Sequence, residues 1–382
     1  MHALVPAEGE PLLPEYGGAC ISSVVPAIMG RGDPECPGWL PDPVIGANQV
    51  VLLVLDGLGW EQLAERRALA PVLSTGAGGP VTSVVPSTTA TALTSISTGL
   101  APADHGVLGY RLHLELGAPG DRRSEVLNVL RWLSGTRDAR RDVRPRAFQP
   151  APAFGAQGVP VVTRSEFVTT GFSAAHLAGS TMRGWRVPSS LVVEVRRLLR
   201  SGEPFVYAYY DGVDKVAHEH GLGEHYDAEL VAADRLVGDL VEALPTGAAL
   251  VVVADHGQVE VPDQAIVPDG ELMRSVRLVS GEGRFRWLHA KPGAEADLLA
   301  AAEERYGKDA WVRSRRQIVD EGWLGGELRS AWAERLGDVA IAARSAVAFA
   351  DPADTGELLL KGRHGSLTSA EMLVPLLAFG GD

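Results

Sequence analysis

The sequence has little cysteine, no long apolar run and no surplus of positive charge, and each shortage removes a class of function. Cys20 and Cys36 are the only cysteines in 382 residues. They allow a single bridge and exclude anything more. No apolar run reaches the roughly 18–20 residues that a membrane span requires. No Lys or Arg precedes Arg31, so the basic start of a secretory leader is missing and a cytoplasmic protein is expected. The 35 Lys and Arg stand against 48 Asp and Glu, a net charge of −13. That balance speaks against a nucleic-acid groove, which needs clustered Lys and Arg. Small anionic substrates stay compatible, because bound cations reverse a local field.

What is present is ordinary in bulk: 46% hydrophobic and 22% charged residues, which excludes disorder and fibrous repeats. The length suits one main domain with a sizeable insertion, or two domains. The informative feature is local. Three distant apolar runs end in a carboxylate: Val51-Leu52-Leu53-Val54-Leu55-Asp56-Gly57, Tyr207-Ala208-Tyr209-Tyr210-Asp211, and Leu250-Val251-Val252-Val253-Ala254-Asp255-His256-Gly257. Short runs of this kind read as buried parallel strands. Ligands of open α/β sheets collect outside the carboxyl ends of such strands, so the runs deliver Asp and His to one sheet edge.

Residues 1–48, rich in Pro and Gly, read as an extended surface arm. The pattern predicts strands at 49–55, 204–210 and 249–254 and helices at 187–200 and about 225–244. Strand, helix, strand in that order means parallel pairing with right-handed crossovers. Pro86-Ser87 looks like a helix start and Gly99 its stop. Residues 110–186 read as loops over the top of the sheet. Beyond His256 a strand at 284–289 and a helix at about 294–306 suggest a small α+β cap. The expected organisation is an α/β core at 49–257 and 337–382, with a cap insertion at 258–336 and the sheet mostly parallel and flanked by helices.

Each chemical candidate has a bland reading beside it. Asp56, followed by Gly57 and Gly59, serves equally well to close a strand through a turn hydrogen bond. If Ser87 caps the helix, Thr89 sits in the first turn, where free N–H groups and the dipole favour an anion; its bland reading is a polar helix start. Asp214 and His218, four residues apart, share one helix face and suit zinc or a similar ion. Asp211 competes with Asp214 for that role, and His220 and His225 are further candidates. Asp255-His256-Gly257 puts two ligand types at the end of the most apolar strand. His364, between Arg363 and Gly365, carries little by itself. Taken together, Asp56, Thr89, Asp214, His218, Asp255, His256 and His364 form two natural ligand groups, and two nearby divalent ions clamp the attacking and leaving oxygens of a displacement at phosphorus.

The ordered set Leu55-Asp56-Gly57, Pro86-Ser87-Thr88-Thr89, Asp214-x3-His218, Asp255-His256-Gly257 and Arg363-His364-Gly365 resembles the alkaline phosphatase superfamily. Within it, the set is most similar to the type I phosphodiesterase/nucleotide pyrophosphatase branch, over roughly residues 49–375. The resemblance implies that Asp214, His218 and His364 hold one zinc ion, that Asp56, Asp255 and His256 hold the other, and that Thr89 is the nucleophile on the second. It implies a small anionic phosphate ester as substrate. His105, in a family segment that is structural more often than catalytic, stays outside the site. Two departures matter. The Asn expected three residues after the nucleophile is Ala92, which leaves phosphate contacts to backbone N–H groups or to residues that the sequence does not place. Thr89-Ala90-Thr91 lacks the sulfatase pattern. The alternatives are a phosphonate hydrolase or phosphomutase on the same fold, or a non-catalytic, metal-stabilised binding protein.

Overall fold

The computed structural model describes residues 9–32, 36–117, 122–262, 265–354 and 359–381; residues 1–8 and 33–35 of the expected arm lie outside them. Its centre is a seven-stranded sheet in the order Ala77–Thr82, Leu373–Gly380, Ala248–Val253, Gln49–Leu55, Phe205–Tyr210, Pro160–Arg164, Thr181–Trp185. Only Leu373–Gly380 runs against the others. Val50 through Leu55 and Ala249 through Val253 are 0% exposed, as expected where helices cover both faces. Helix Pro188–Arg200 buries Leu191, Val195, Leu198 and Leu199, and helix Glu224–Glu242 buries Leu230, Ala233, Leu236, Val237 and Leu240. Truncating one such Leu to Ala costs about 2–5 kcal/mol.

This topology explains why one edge collects the chemistry. Leu55 pairs with Tyr210 and Val54 with Val253, so the residues after these strands leave the sheet side by side. Leu373–Gly380 runs the other way, so residues 364–372 enter it from that same edge. Ala77–Thr82 also ends there and leads to helix Thr89–Thr98.

A second sheet, ordered Val276–Glu282, Phe285–Ala290, Val339–Ala343, Ala310–Ser314, carries its own core with helix Glu295–Tyr306, including Leu288, Leu298, Tyr306, Val312 and Ile341. Val339–Ala343 was expected to resume the main core; it pairs instead with Phe285–Ala290 and Ala310–Ser314. An apolar run buried on both faces reads the same in either sheet.

Three further expectations are corrected. Residues 110–186 hold two strands of the main sheet, Pro160–Arg164 and Thr181–Trp185, and a separate meander sheet starting with Arg111–Leu116 and Arg123–Asn128. Thr181–Trp185 is an edge strand with mostly solvent-facing residues, so it lacks an apolar signature. The arm contains helix Ile21–Met29, with Ile21, Val24, Val25 and Ile28 buried; Pro26 inside it argued against a helix. Finally, the residue capping helix Thr89–Thr98 is Thr88, not Ser87, and Gly99 ends the helix at φ 71 as expected. No helix among the described residues is long and apolar enough to cross a membrane, and Cys20 and Cys36 are free thiols.

Candidate functional site

All seven candidate residues meet at the carboxyl edge of the main sheet. Asp56 directly follows Gln49–Leu55, and its N–H bonds Tyr210 O at 2.9 Å. Gly57 turns the chain at φ 76, and a Cβ there would lie 2.9 Å from both Cα and Cβ of Asp214. Only glycine lets this turn pack against helix Gly212–His220, which carries Asp214 and His218. Asp255 Oδ1 accepts from Gly57 N at 3.1 Å and from His256 N at 3.0 Å. The segment bearing His364 is stitched to the Thr89 helix through Ser87, whose hydroxyl donates to Ser366 O at 2.6 Å and accepts from Gly365 N at 3.2 Å.

The three imidazoles are oriented alike. Nδ1 of His218 bonds Gly362 O at 2.7 Å, Nδ1 of His364 bonds Ser87 O at 2.9 Å, and Nδ1 of His256 bonds Gly257 O at 3.1 Å. A carbonyl only accepts, so each Nδ1 carries a hydrogen and each neutral ring keeps its lone pair on Nε2. These backbone carbonyls are the outer partners that fix a metal-ligating histidine. His256 Nε2 lies 3.4 Å from Asp56 Oδ1 and 3.5 Å from Asp255 Oδ2. Asp214 Oδ1 lies 3.3 Å from His218 Nε2 and 3.8 Å from His364 Nε2. Thr89 Oγ1 is 3.1 Å from His256 Nε2.

Ligand atoms of Asp56, Asp255 and His256 lie within 4.8 Å of one another, as do those of Asp214, His256 and His364. The first trio matches the expected grouping. In the second, His256 stands where His218 was expected, with His218 beside it, so His256 joins the two clusters.

The electrostatics call for a cation. Asp56, Asp214 and Asp255 are at most 9% exposed, and Asp56 Oδ1 and Asp255 Oδ2 have no hydrogen-bond partner. Buried carboxylates in this state are costly unless positive charge compensates them. Burial, followed by the charges of Asp255 and Asp214, pushes the Asp56 carboxyl well above the usual range. Burial also leads the rise at Asp255. Burial, with His256 and His218 nearby, holds His364 well below the ordinary imidazole value, so it stays neutral, as a ligand must. Carboxylate and imidazole donors in this number fit zinc or a related divalent ion.

Neighbours separate Asp211 from Asp214. Asp211 is neutralised by Arg164 Nε at 2.5 Å and Lys215 Nζ at 2.6 Å, whereas Asp214 faces the histidines. His220 and His225 stack on each other at 4.0 Å, exposed and outside both clusters. His105 is structural: its Nδ1 accepts from Val107 N at 3.0 Å, and its Nε2 meets Ser95 Oγ at 2.9 Å. Two supporting residues escaped the sequence reading. Tyr209 donates its hydroxyl to Asp56 Oδ2, and Gln258 Nε2 donates to Asp214 Oδ1 at 2.6 Å. Tyr209 sits in an aromatic strand that reads as core, and a lone Gln carries no spacing signal.

Two cavities meet here. One, about 480 Å³, is mostly apolar and includes Leu93, Phe167, Phe172 and Tyr209; the other, about 720 Å³, includes Tyr110, Asn128, His218 and His364. Thr89 and Asp214 line both.

The model of the type I phosphodiesterase/nucleotide pyrophosphatase family matches residues 50–367. The chain belongs to this family. The matched span holds all seven candidate residues. No curated protein sequence matches the chain. Among solved structures, murine ectonucleotide pyrophosphatase/phosphodiesterase 5 is similar with a TM-score of 0.63 at 16% identity, over 87% of this chain and 88% of that one. Its inactive threonine-to-alanine variant in complex with AMP gives 0.62 at 15% identity, with 87% and 88% covered. Phosphonoacetate hydrolase from Sinorhizobium meliloti 1021, in complex with phosphonoformate, gives 0.62 at 18% identity over 87% and 90%. The fold is therefore that of the alkaline phosphatase superfamily, and the family is one of phosphodiesterase and pyrophosphatase hydrolases.

Proposed function

We propose that this chain is a two-metal hydrolase of phosphoric esters, acting on diesters or pyrophosphates through a covalent intermediate on Thr89. One observation carries the reading: three Nε2 atoms and two unpartnered carboxylate oxygens converge beside the Thr89 hydroxyl. Asp56, Asp255 and His256 would hold one ion, and Asp214, His218 and His364 the other. Two divalent cations, zinc by the donor set, would lower the pKa of the hydroxyl and of water and offset charge on the phosphoryl oxygens.

Thr89 Oγ attacks phosphorus, the bond to the leaving oxygen breaks, and water then releases the phosphoryl group from Thr89. Thr89 is the first residue of its helix, so free N–H groups and the dipole favour the phosphoryl anion beside it. Thr89 lines both cavities, and room in each suits a phosphorus with two substituents, which favours a diester or anhydride over a monoester. The inactivity of the murine relative's threonine-to-alanine variant agrees with a threonine nucleophile.

The test is a panel on zinc-loaded protein: bis-(p-nitrophenyl) phosphate, p-nitrophenyl phosphate, dinucleotides and phosphonoacetate. Thr89→Ala is expected to lower kcat on the order of 1,000-fold or more with bound zinc unchanged by elemental analysis. Turnover within tenfold of the parent would remove Thr89 from the chemistry. Phosphonoacetate as the only substrate would favour the phosphonate alternative.

A further inference from the structure

We propose that Arg131 is a specificity-determining residue whose guanidinium receives a second anionic group of the substrate, beyond the scissile phosphoryl. The proposal rests on the hydrolase reading above and narrows its substrate class to phosphoryl compounds, whether ester, anhydride or phosphonate, that carry such a group.

Arg131 lines both cavities that meet at Thr89. The other cations there are engaged. Lys215 pairs with Asp211 at 2.6 Å, Arg111 pairs with Asp351 and, at 3.5 Å, with Asp354, and Arg363 Nε donates to Leu360 O at 2.9 Å. The Arg131 side chain makes no ion pair or hydrogen bond among the described residues.

An exposed arginine alone means little; the chain beneath this one is built to aim it. Arg131 lies in the hairpin loop between Arg123–Asn128 and Leu133–Ser134, with Asn128 opposite Leu133. Asn128 Oδ1 accepts from the Arg131 backbone N at 3.0 Å, and Asn128 Nδ2 donates to the Tyr110 hydroxyl at 2.6 Å. The next residue, Trp132, is left-handed at φ 56, a conformation that bulky residues avoid and that costs of order 1–3 kcal/mol.

The surroundings hold Trp132 in that state. It is 1% exposed, its Nε1 donates to Val143 O at 2.7 Å, and its ring meets Phe148 edge-on at 5.4 Å. Gly171 makes room for it, since a Cβ there would fall 2.3 Å from Trp132 Cγ. Asn128 on one side and Trp132 on the other fix the backbone of Arg131 at the mouth of both cavities. With its backbone held there, the Arg131 guanidinium stays within reach of the cavity mouths, where its planar fork can meet an oxyanion.

The test uses the zinc-loaded full chain and compares kcat/KM for ADP and for phosphonoacetate with that for bis-(p-nitrophenyl) phosphate, which has no second anionic group. In Arg131→Ala the ratio of anionic to reference substrate is expected to fall about 10- to 100-fold, mainly through KM, as for a lost charge-assisted hydrogen bond. Arg131→Lys should keep part of the ratio, and Asn128→Ala should lower it less than Arg131→Ala. A fall for ADP assigns the second group as phosphate, and a fall for phosphonoacetate assigns it as carboxylate. Ratios within twofold of the parent for both, or a parent that cleaves only the reference diester, would overturn the role of Arg131. Parent protein that cleaves none of the three would instead overturn the hydrolase reading.

Discussion

Replacing Asp255 by Asn should stabilise the metal-free protein and cripple its response to zinc, two effects of opposite sign from one atom. Asp255 is 0% exposed. Its Oδ1 accepts two backbone N–H groups, which an amide oxygen can also do. Its Oδ2 has no partner and lies beside the equally buried Asp56. Removing that charge without metal relieves an uncompensated buried carboxylate, a gain of about 1–3 kcal/mol. At roughly 2.1 cal/mol/K per residue, a chain of 382 residues has an unfolding entropy of about 0.8 kcal/mol/K. The gain is then about 1–4 °C in Tm. Zinc at 100 to 1,000 times its Kd stabilises by about 2.7–4.1 kcal/mol per site, about 3–5 °C, and the variant should lose most of this for its site.

The pH dependence of the metal-free protein has a definite sign. The Asp56 and Asp255 carboxyls are raised in the folded state, so between the ordinary carboxylate value and the raised ones the folded chain binds more protons. Metal-free stability therefore falls as pH rises through that window, and Asp255→Asn should flatten the fall. Scanning calorimetry in EDTA and in zinc, at pH 5 and 7.5, reads all of this. A lower metal-free Tm in the variant together with an undiminished zinc shift would refute the reasoning.

Two further outcomes concern the scaffold. Burial, with Arg335 nearby, lowers the His105 pKa to about 3, so the unfolded chain binds the extra proton below pH about 6.5 and stability is lost as pH falls. From 6.5 to 5 this site alone contributes about 2 kcal/mol of that loss; urea titrations should show a loss smaller by about that amount in His105→Gln, and an unchanged loss would contradict it. Arg284 forms a fully buried pair with Glu371 at 2.7 Å, and Glu371 also accepts from Ser366 N at 2.9 Å. Arg284→Met should cost about 3–5 kcal/mol by stranding the carboxylate, and Arg284→Met with Glu371→Leu should recover most of it; a double variant no better than the single one would show that the pair is not what matters.

The sequence displayed the site more readily than the fold around it, for physical reasons. Asp56, Asp255 and His256 were legible because central parallel strands are apolar on both faces, so the first polar residue after them stands out. Val339–Ala343 is just as apolar, yet it belongs to the second sheet, because an apolar run records burial and not its partner. His256 contributing to both ligand clusters is a matter of ring orientation, set by the Gly257 carbonyl, and no spacing encodes it. The choice between Asp211 and Asp214 shows how the two kinds of difficulty connect. Both follow the same strand, and the four-residue spacing to His218 favours Asp214 without excluding Asp211. What separates them is Arg164, which pairs with Asp211 and leaves Asp214 to face the histidines. Arg164 ends Pro160–Arg164, a strand hidden within a stretch that reads as loops. The unrecognised strand and the undecided ligand are therefore one problem: the site's charge balance is completed by an element that only the sheet brings near.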